Sequence, residues 1–127
     1  MNRKRVEVIA SILDARQTCA KTNNKEWFDK HTEKLKEIMD DAPSGSGIDS
    51  GTELDLIESK PDRLVFNFSY HHMNDAGFYD GWTDHKLIVK PSFVLGVDMR
   101  ITGSDRNDIK DYLYQVYELF LSEVIEA

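Results

Sequence analysis

A single cysteine, Cys19, stands in 127 residues. That excludes an internal disulfide and any cysteine-built zinc site within one chain. The thiol sits beside the apolar stripe of an expected helix and reads as structural rather than reactive. A reducing, cytoplasmic setting is expected. Long apolar runs are also missing, so no membrane span is predicted. The basic start Met1 to Arg5 is followed by Val6 to Leu13, which Glu7 and Ser11 interrupt, and a signal peptide is not expected. Positive charge is scarce: 16 Lys and Arg against 23 Asp and Glu leave a formal net charge of -7. Nucleic-acid binding needs a basic face that displaces counterions from phosphates. Only Arg3, Lys4 and Arg5 cluster, which speaks against DNA or RNA as partner. An acidic surface suits solubility or a basic protein partner.

Nucleotide and nucleophile motifs are absent as well. Pro43 to Thr52 (Pro-Ser-Gly-Ser-Gly-Ile-Asp-Ser-Gly-Thr) is rich in glycine, but no Gly-Lys-Ser/Thr completes a phosphate loop and a strand is expected after it. Residues 45 to 47 read Gly-Ser-Gly, without the spacing of a nucleophile elbow. No cofactor is therefore expected. The segment reads as a connector. A smaller claim remains for Gly45, Ser46, Gly47, Asp49 and Ser50 as an anion or ligand loop, helped by Arg100 or Arg106.

What is present is a chain whose hydrophobic period changes once. Hydrophobic residues make up 40% and charged residues 31%, a globular balance that fits one domain. Residues 3 to 20 carry Val6, Ile9, Ala10, Leu13 and Ala20 near one stripe, widened by Ile12, and predict a helix. Asn24 is an expected N-cap for a second helix reaching Asp41, with Trp27, Phe28, His31, Leu35, Ile38 and Met39 on its apolar side. So short a turn predicts an antiparallel helical hairpin. Beyond the connector the period is two. Thr52 to Ser59, Leu64 to His72, Trp82 to Lys90 and Phe93 to Thr102 predict strands, with turns at Lys60-Pro61-Asp62 and Pro91-Ser92. Ser104 or Asp105 is expected to cap a last helix carrying Ile109, Tyr112, Leu113, Val116, Phe120 and Val124. The predicted fold class is α+β: an N-terminal helical hairpin (1–42), a Gly/Ser connector (43–51), a four-stranded antiparallel meander (52–103) and a C-terminal helix (104–127).

The alternation also predicts neighbours. Pairing Tyr70 with His85 and His85 with Val97 keeps Phe66, Phe68, Leu87, Val89 and Leu95 on one face. On the other face His71 would then oppose Asp84, Asp84 would oppose Asp98, and Trp82 would oppose Arg100. A histidine with two carboxylates can serve acid–base chemistry or hold a divalent metal. The bland reading is a solvated cross-strand ladder, and no metal is assigned. His72 and His85 are expected inward. The loop from 73 to 81 brings Phe78, Tyr79 and Asp80 next to Trp82; such aromatics either stand exposed as a binding surface or fold back to cap the open end of the core.

Four runs carry a resemblance: the 43–52 segment, Tyr70-His71-His72-Met73, Tyr79-Asp80-Gly81-Trp82-Thr83-Asp84-His85, and Ile101 to Tyr112 (Ile-Thr-Gly-Ser-Asp-Arg-Asn-Asp-Ile-Lys-Asp-Tyr). Together these resemble a group of small uncharacterised proteins carried by bacteria, phages and other mobile elements. The resemblance covers about the last two thirds of the chain. It implies a setting of conflict between mobile elements and hosts, including inhibition of a host defence protein, and it carries no catalytic residues. Three readings follow. The first is a non-enzymatic binding protein using Phe78, Tyr79, Asp80, Trp82 and Arg100. The second is a small enzyme or metal protein built on His71, Asp84 and Asp98. The third is a binder of a small anion. An uncovered sheet face or edge strand would leave room for a homodimer.

Overall fold

The structure, a computed structural model, describes residues 2–40, 52–93, 96–103 and 106–126, with side chains throughout except at 52, 53, 70–73 and 126. The elements in order are β1 (Asn2–Lys4), α1 (Arg5–Lys21), α2 (Lys25–Asp40), β2 (Thr52–Lys60), β3 (Arg63–Met73), β4 (Tyr79–Ser92), β5 (Gly96–Thr102), α3 (Asn107–Ser122) and β6 (Val124–Glu126). Strands β2-β3-β4-β5 form an antiparallel meander, as the period-two pattern predicts. The fold is α+β. The Gly/Ser connector, with Gly45, Ser46, Gly47, Asp49 and Ser50, and the expected caps Ser104 and Asp105 lie outside the described residues.

The two helices of the hairpin turn on three residues. Asn23 takes a left-handed conformation (φ 57°), which asparagine tolerates better than most residues. The last carbonyls of α1 are closed by the backbone N–H groups of Thr22, Asn23 and Asn24. The Asn24 side-chain oxygen accepts from the Trp27 N–H at 3.3 Å, the expected N-cap of α2. Trp27 itself departs from expectation. It is 50% exposed, under the Lys30 ammonium at 4.6 Å, because the buried face of α2 runs through Thr32, Leu35 and Met39.

The core lies between one face of the sheet and the helices. Ile9, Ile12 and Leu13 of α1 and Leu35 and Met39 of α2 meet Leu64, Phe66 and Phe68 of β3 and Leu87 and Val89 of β4. Ile109, Leu113, Tyr117 and Phe120 of α3 complete it at helical spacing. Tyr112 is partly exposed. Val124, expected in the last helix, belongs to β6 and is exposed. Strand β6 pairs antiparallel with β1. Arg5 ties the two ends together, donating to Glu123 at 2.6 Å and to the Phe120 carbonyl at 3.0 Å while its guanidinium lies over the Phe120 ring.

The face assignment holds and the register does not. His85 opposes Phe68, not Tyr70, a shift of two residues. Val97 opposes Pro91, not His85, a shift of six. Both shifts are even, so Phe66, Phe68, Leu87, Val89, Val97 and Ile101 keep the core face while their neighbours change. The second shift has a local cause. Strand β4 continues through Pro91-Ser92, so the predicted turn there moves on, and Phe93 stands fully exposed after it. Pro91 lies beyond Val89, the last β4 residue paired with β3, and pairs only with Val97 of β5, near the strand end where proline is tolerated.

Candidate functional site

The β3–β4 hairpin turns over residues 74 to 78, and Asn74 organises it. Its side-chain oxygen accepts the backbone N–H groups of Ala76 and Phe78, each at 3.0 Å. Its own N–H donates to the Phe78 carbonyl at 2.8 Å, and its carbonyl accepts from Gly77 at 2.9 Å. Gly77 (φ 83°) supplies the left-handed step that closes the turn. Just beyond, Phe78 is 70% exposed, and Tyr79 and Trp82 are each 59% exposed. Asp75, Asp80 and Asp84 are exposed around them. The tip is thus aromatic and acidic at once.

Asp84 anchors the sheet-side end of this patch. It lies opposite Ser69, and its carboxylate accepts from the Ser69 hydroxyl at 2.8 Å and from the Asn67 amide at 3.4 Å. The Trp82 indole N–H adds another donor. Hydrogen bonding by Ser69 first, then Asn67, holds the Asp84 carboxyl below its ordinary value. Asp84 therefore stays ionised and orients Trp82. Behind it, His85 is buried, as expected, with its ring 3.0 Å from the Thr83 hydroxyl.

The predicted His71–Asp84–Asp98 cluster is not brought together. His71 opposes Trp82, Asp84 opposes Ser69, and Asp98 opposes Lys90. Six residues of β4 separate Asp84 from the Asp98 row, about 20 Å along an extended strand. The His71 side chain lies outside the described residues, although register puts its position diagonal to Asp84. Arg100 opposes Ile88, not Trp82, and pairs with Asp98 at 3.3 Å. Arg106 is engaged by Asp108 through two contacts of 3.2 and 3.1 Å. Among the described residues, no group of three or more His, Cys, Asp or Glu is placed to hold a metal ion.

One charged residue escaped the sequence reading. Arg16 is fully buried. Its Nε donates to the Thr32 hydroxyl at 2.8 Å, its Nη2 to the Ser59 hydroxyl at 2.9 Å and the Lys60 carbonyl at 3.1 Å. Its guanidinium lies 4.5 Å from the Phe28 ring centre. The signal was available: Arg16 follows Ile9, Ile12 and Leu13 at helical spacing, where an apolar residue belongs.

Searched against protein-family models, curated proteins and solved structures, the chain matches none. Its function must be argued from its own geometry. Among the described residues no helix is long and apolar enough to cross a membrane.

Proposed function

We propose that this is a non-enzymatic protein-binding protein whose β3–β4 hairpin tip grips a basic surface of its partner. The observation that carries this reading is the adjacency of three large exposed aromatics, Phe78, Tyr79 and Trp82, to three exposed carboxylates. Aromatic anchors of this kind dominate binding energy, typically about 2 kcal/mol or more each when they enter a partner's pocket. Flanking carboxylates favour arginine and lysine, whose cations also stack on aromatic faces. Two rigid supports precede binding: the Asn74 turn under Phe78 and the Asp84 carboxylate beside Trp82. A surface so held loses less entropy on association. Under this reading the resemblance to phage and mobile-element proteins points to a host protein, including a defence protein, as the target.

A direct test uses a Trp27→Phe background, which leaves Trp82 as the one tryptophan. Arginine-rich peptides and their charge-neutral counterparts are titrated while Trp82 emission is read. The expected result is saturable binding by the cationic peptides, weakened by salt and at least tenfold weaker in Phe78→Ala. Equal binding of neutral peptides, or no effect of Phe78→Ala, removes the reading. The metal and acid–base reading loses its support with the register that motivated it.

A further inference from the structure

Arg16 is a buried cation without a carboxylate: among the described residues none pairs with it, and its Nη1 has no hydrogen-bond partner. Burial alone pushes its guanidinium below its ordinary value. An uncompensated internal charge is expensive, and three neutral oxygens offset it only in part. The described part of the chain is rich in Asp and Glu, and none of those carboxylates forms an ion pair with it. A charge left so, beside a cavity, is a place where an anion from outside would be stabilised.

A cavity of about 270 Å³ lies next to it, between the α1–α2 turn and the β2–β3 turn. Phe28 and Ser59, two of the side chains against the guanidinium, are also walls of this cavity. Arg16 therefore sits one layer behind the wall. The Ser59 hydroxyl accepts from Arg16 Nη2, so its own proton is left to donate, and no described group takes it. Donation from the guanidinium polarises that O–H and strengthens it as a donor. The Asn24 oxygen is spent on capping α2, which leaves its amide N–H groups as donors. Lys25 stands at the rim, paired with Asp29 at 2.7 Å. Among the described residues no acidic side chain lines the cavity, and Ala20, Phe28 and Pro61 make much of its wall apolar.

We propose that this cavity binds a small organic carboxylate. The carboxylate would accept from the Ser59 hydroxyl and the Asn24 amide, with Arg16 supplying positive charge from behind, and a flat apolar body would pack on Phe28 and Pro61. The volume lies at the small end of ligand sites, so the ligand is ring-sized rather than nucleotide-sized. The apolar walls select an organic acid over free phosphate. The site is at the opposite end of β3 from the hairpin tip, about 35 Å along the strand, and stands independently of the protein-binding reading.

Benzoate is the probe, with benzamide as its neutral counterpart and inorganic phosphate as the competing anion. Binding is read by calorimetry and by amide chemical shifts on the full chain. Benzoate is expected to bind and to shift Cys19, Asn24, Phe28 and Ser59, while benzamide binds at least tenfold more weakly and phosphate leaves these shifts in place. Ser59→Ala, which keeps Arg16, is expected to weaken benzoate at least tenfold. Arg16→Met is expected to abolish binding. Should Arg16→Met fail to fold, Ser59→Ala and the benzoate–benzamide ratio still decide. No benzoate binding at millimolar concentration, equal binding of benzamide, shifts confined to other residues, or unchanged affinity in Ser59→Ala each overturn the proposal. Phosphate binding in place of benzoate overturns the assignment of ligand class.

Discussion

Replacing Asn74 with alanine isolates the device that shapes the hairpin tip. The side-chain oxygen accepts two backbone N–H groups, from Ala76 and Phe78. Both are exposed, so water takes over part of what is lost, and each net contribution belongs at the low end of about 0.5–1.5 kcal/mol. The sum is about 1 kcal/mol, similar to deleting a good helix cap. In a chain of this length that lowers the melting temperature by roughly 3–5 °C. Urea unfolding gives the free energy, and amide hydrogen exchange gives the location. The Ala76 and Phe78 amides should lose protection, while Phe66 and Leu87 in the core keep theirs. Asn74→Asp provides the control, since a carboxylate accepts the same two N–H groups. It should stay close to the native protein, since either form of the carboxyl keeps an oxygen that can accept. A change under about 0.3 kcal/mol in Asn74→Ala, with unaltered exchange at Ala76 and Phe78, would refute the claim that Asn74 holds the tip.

Other consequences can be checked separately. The Asp84 carboxyl is held below its ordinary value by Ser69 and Asn67, so its contribution is present above the unfolded pKa of about 3.9 and is lost as pH falls through the lower folded value. In a Trp27→Phe background, Trp82 emission should change with a midpoint below pH about 3.9, and Asp84→Asn should remove that transition. The Tyr117 hydroxyl is buried with no described partner, and burial pushes its phenol well upward. Tyr117→Phe should therefore be neutral or stabilising by about 1 kcal/mol in urea unfolding, and a loss larger than that would show the hydroxyl to be bonded. Gly96 has φ 81°, and a Cβ added there would meet the Ala10 Cβ at 3.3 Å. Gly96→Ala should cost about 1–3 kcal/mol, and an unchanged urea midpoint would show that the β4–β5 turn relaxes freely.

The parts of the fold legible from sequence were those with a strong period. Leu64, Phe66 and Phe68 alternate, so their inward face was readable, and Leu87 and Val89 followed from the same rule. Alternation fixes register only up to an even slip, and this is why the face survived while the His71–Asp84–Asp98 neighbours did not. The deciding information lay in the turns: a tight Asn74 turn set one pairing, and a strand running through Pro91 set the other. The β1–β6 ribbon has three residues a side, too short for any period to show. In the candidate site, the sequence placed Phe78, Tyr79 and Trp82 together, but an exposed tip and rings folded back on the core were equally compatible with it, and the structure leaves the rings exposed. Asp84 was singled out for the wrong neighbours. Its partners Ser69 and Asn67 were visible as polar alternates on β3, but only the register joins them. Arg16 is hidden in the sequence because a charged residue on the apolar stripe between Leu13 and Ala20 looks like an ordinary solvated side chain until its burial is known.

The central claim is that Phe78 and Trp82 are the anchors of a surface for a basic partner. Its most direct test is calorimetric titration of an arginine-rich peptide into the native protein and into the Phe78→Ala/Trp82→Ala double variant, whose unfolding midpoint should be unchanged because both side chains are exposed. Two lost anchors of about 2 kcal/mol each predict an affinity drop of two to three orders of magnitude in ~0.15 M salt. Equal affinity in the two proteins, or binding that survives unchanged in high salt, would contradict it.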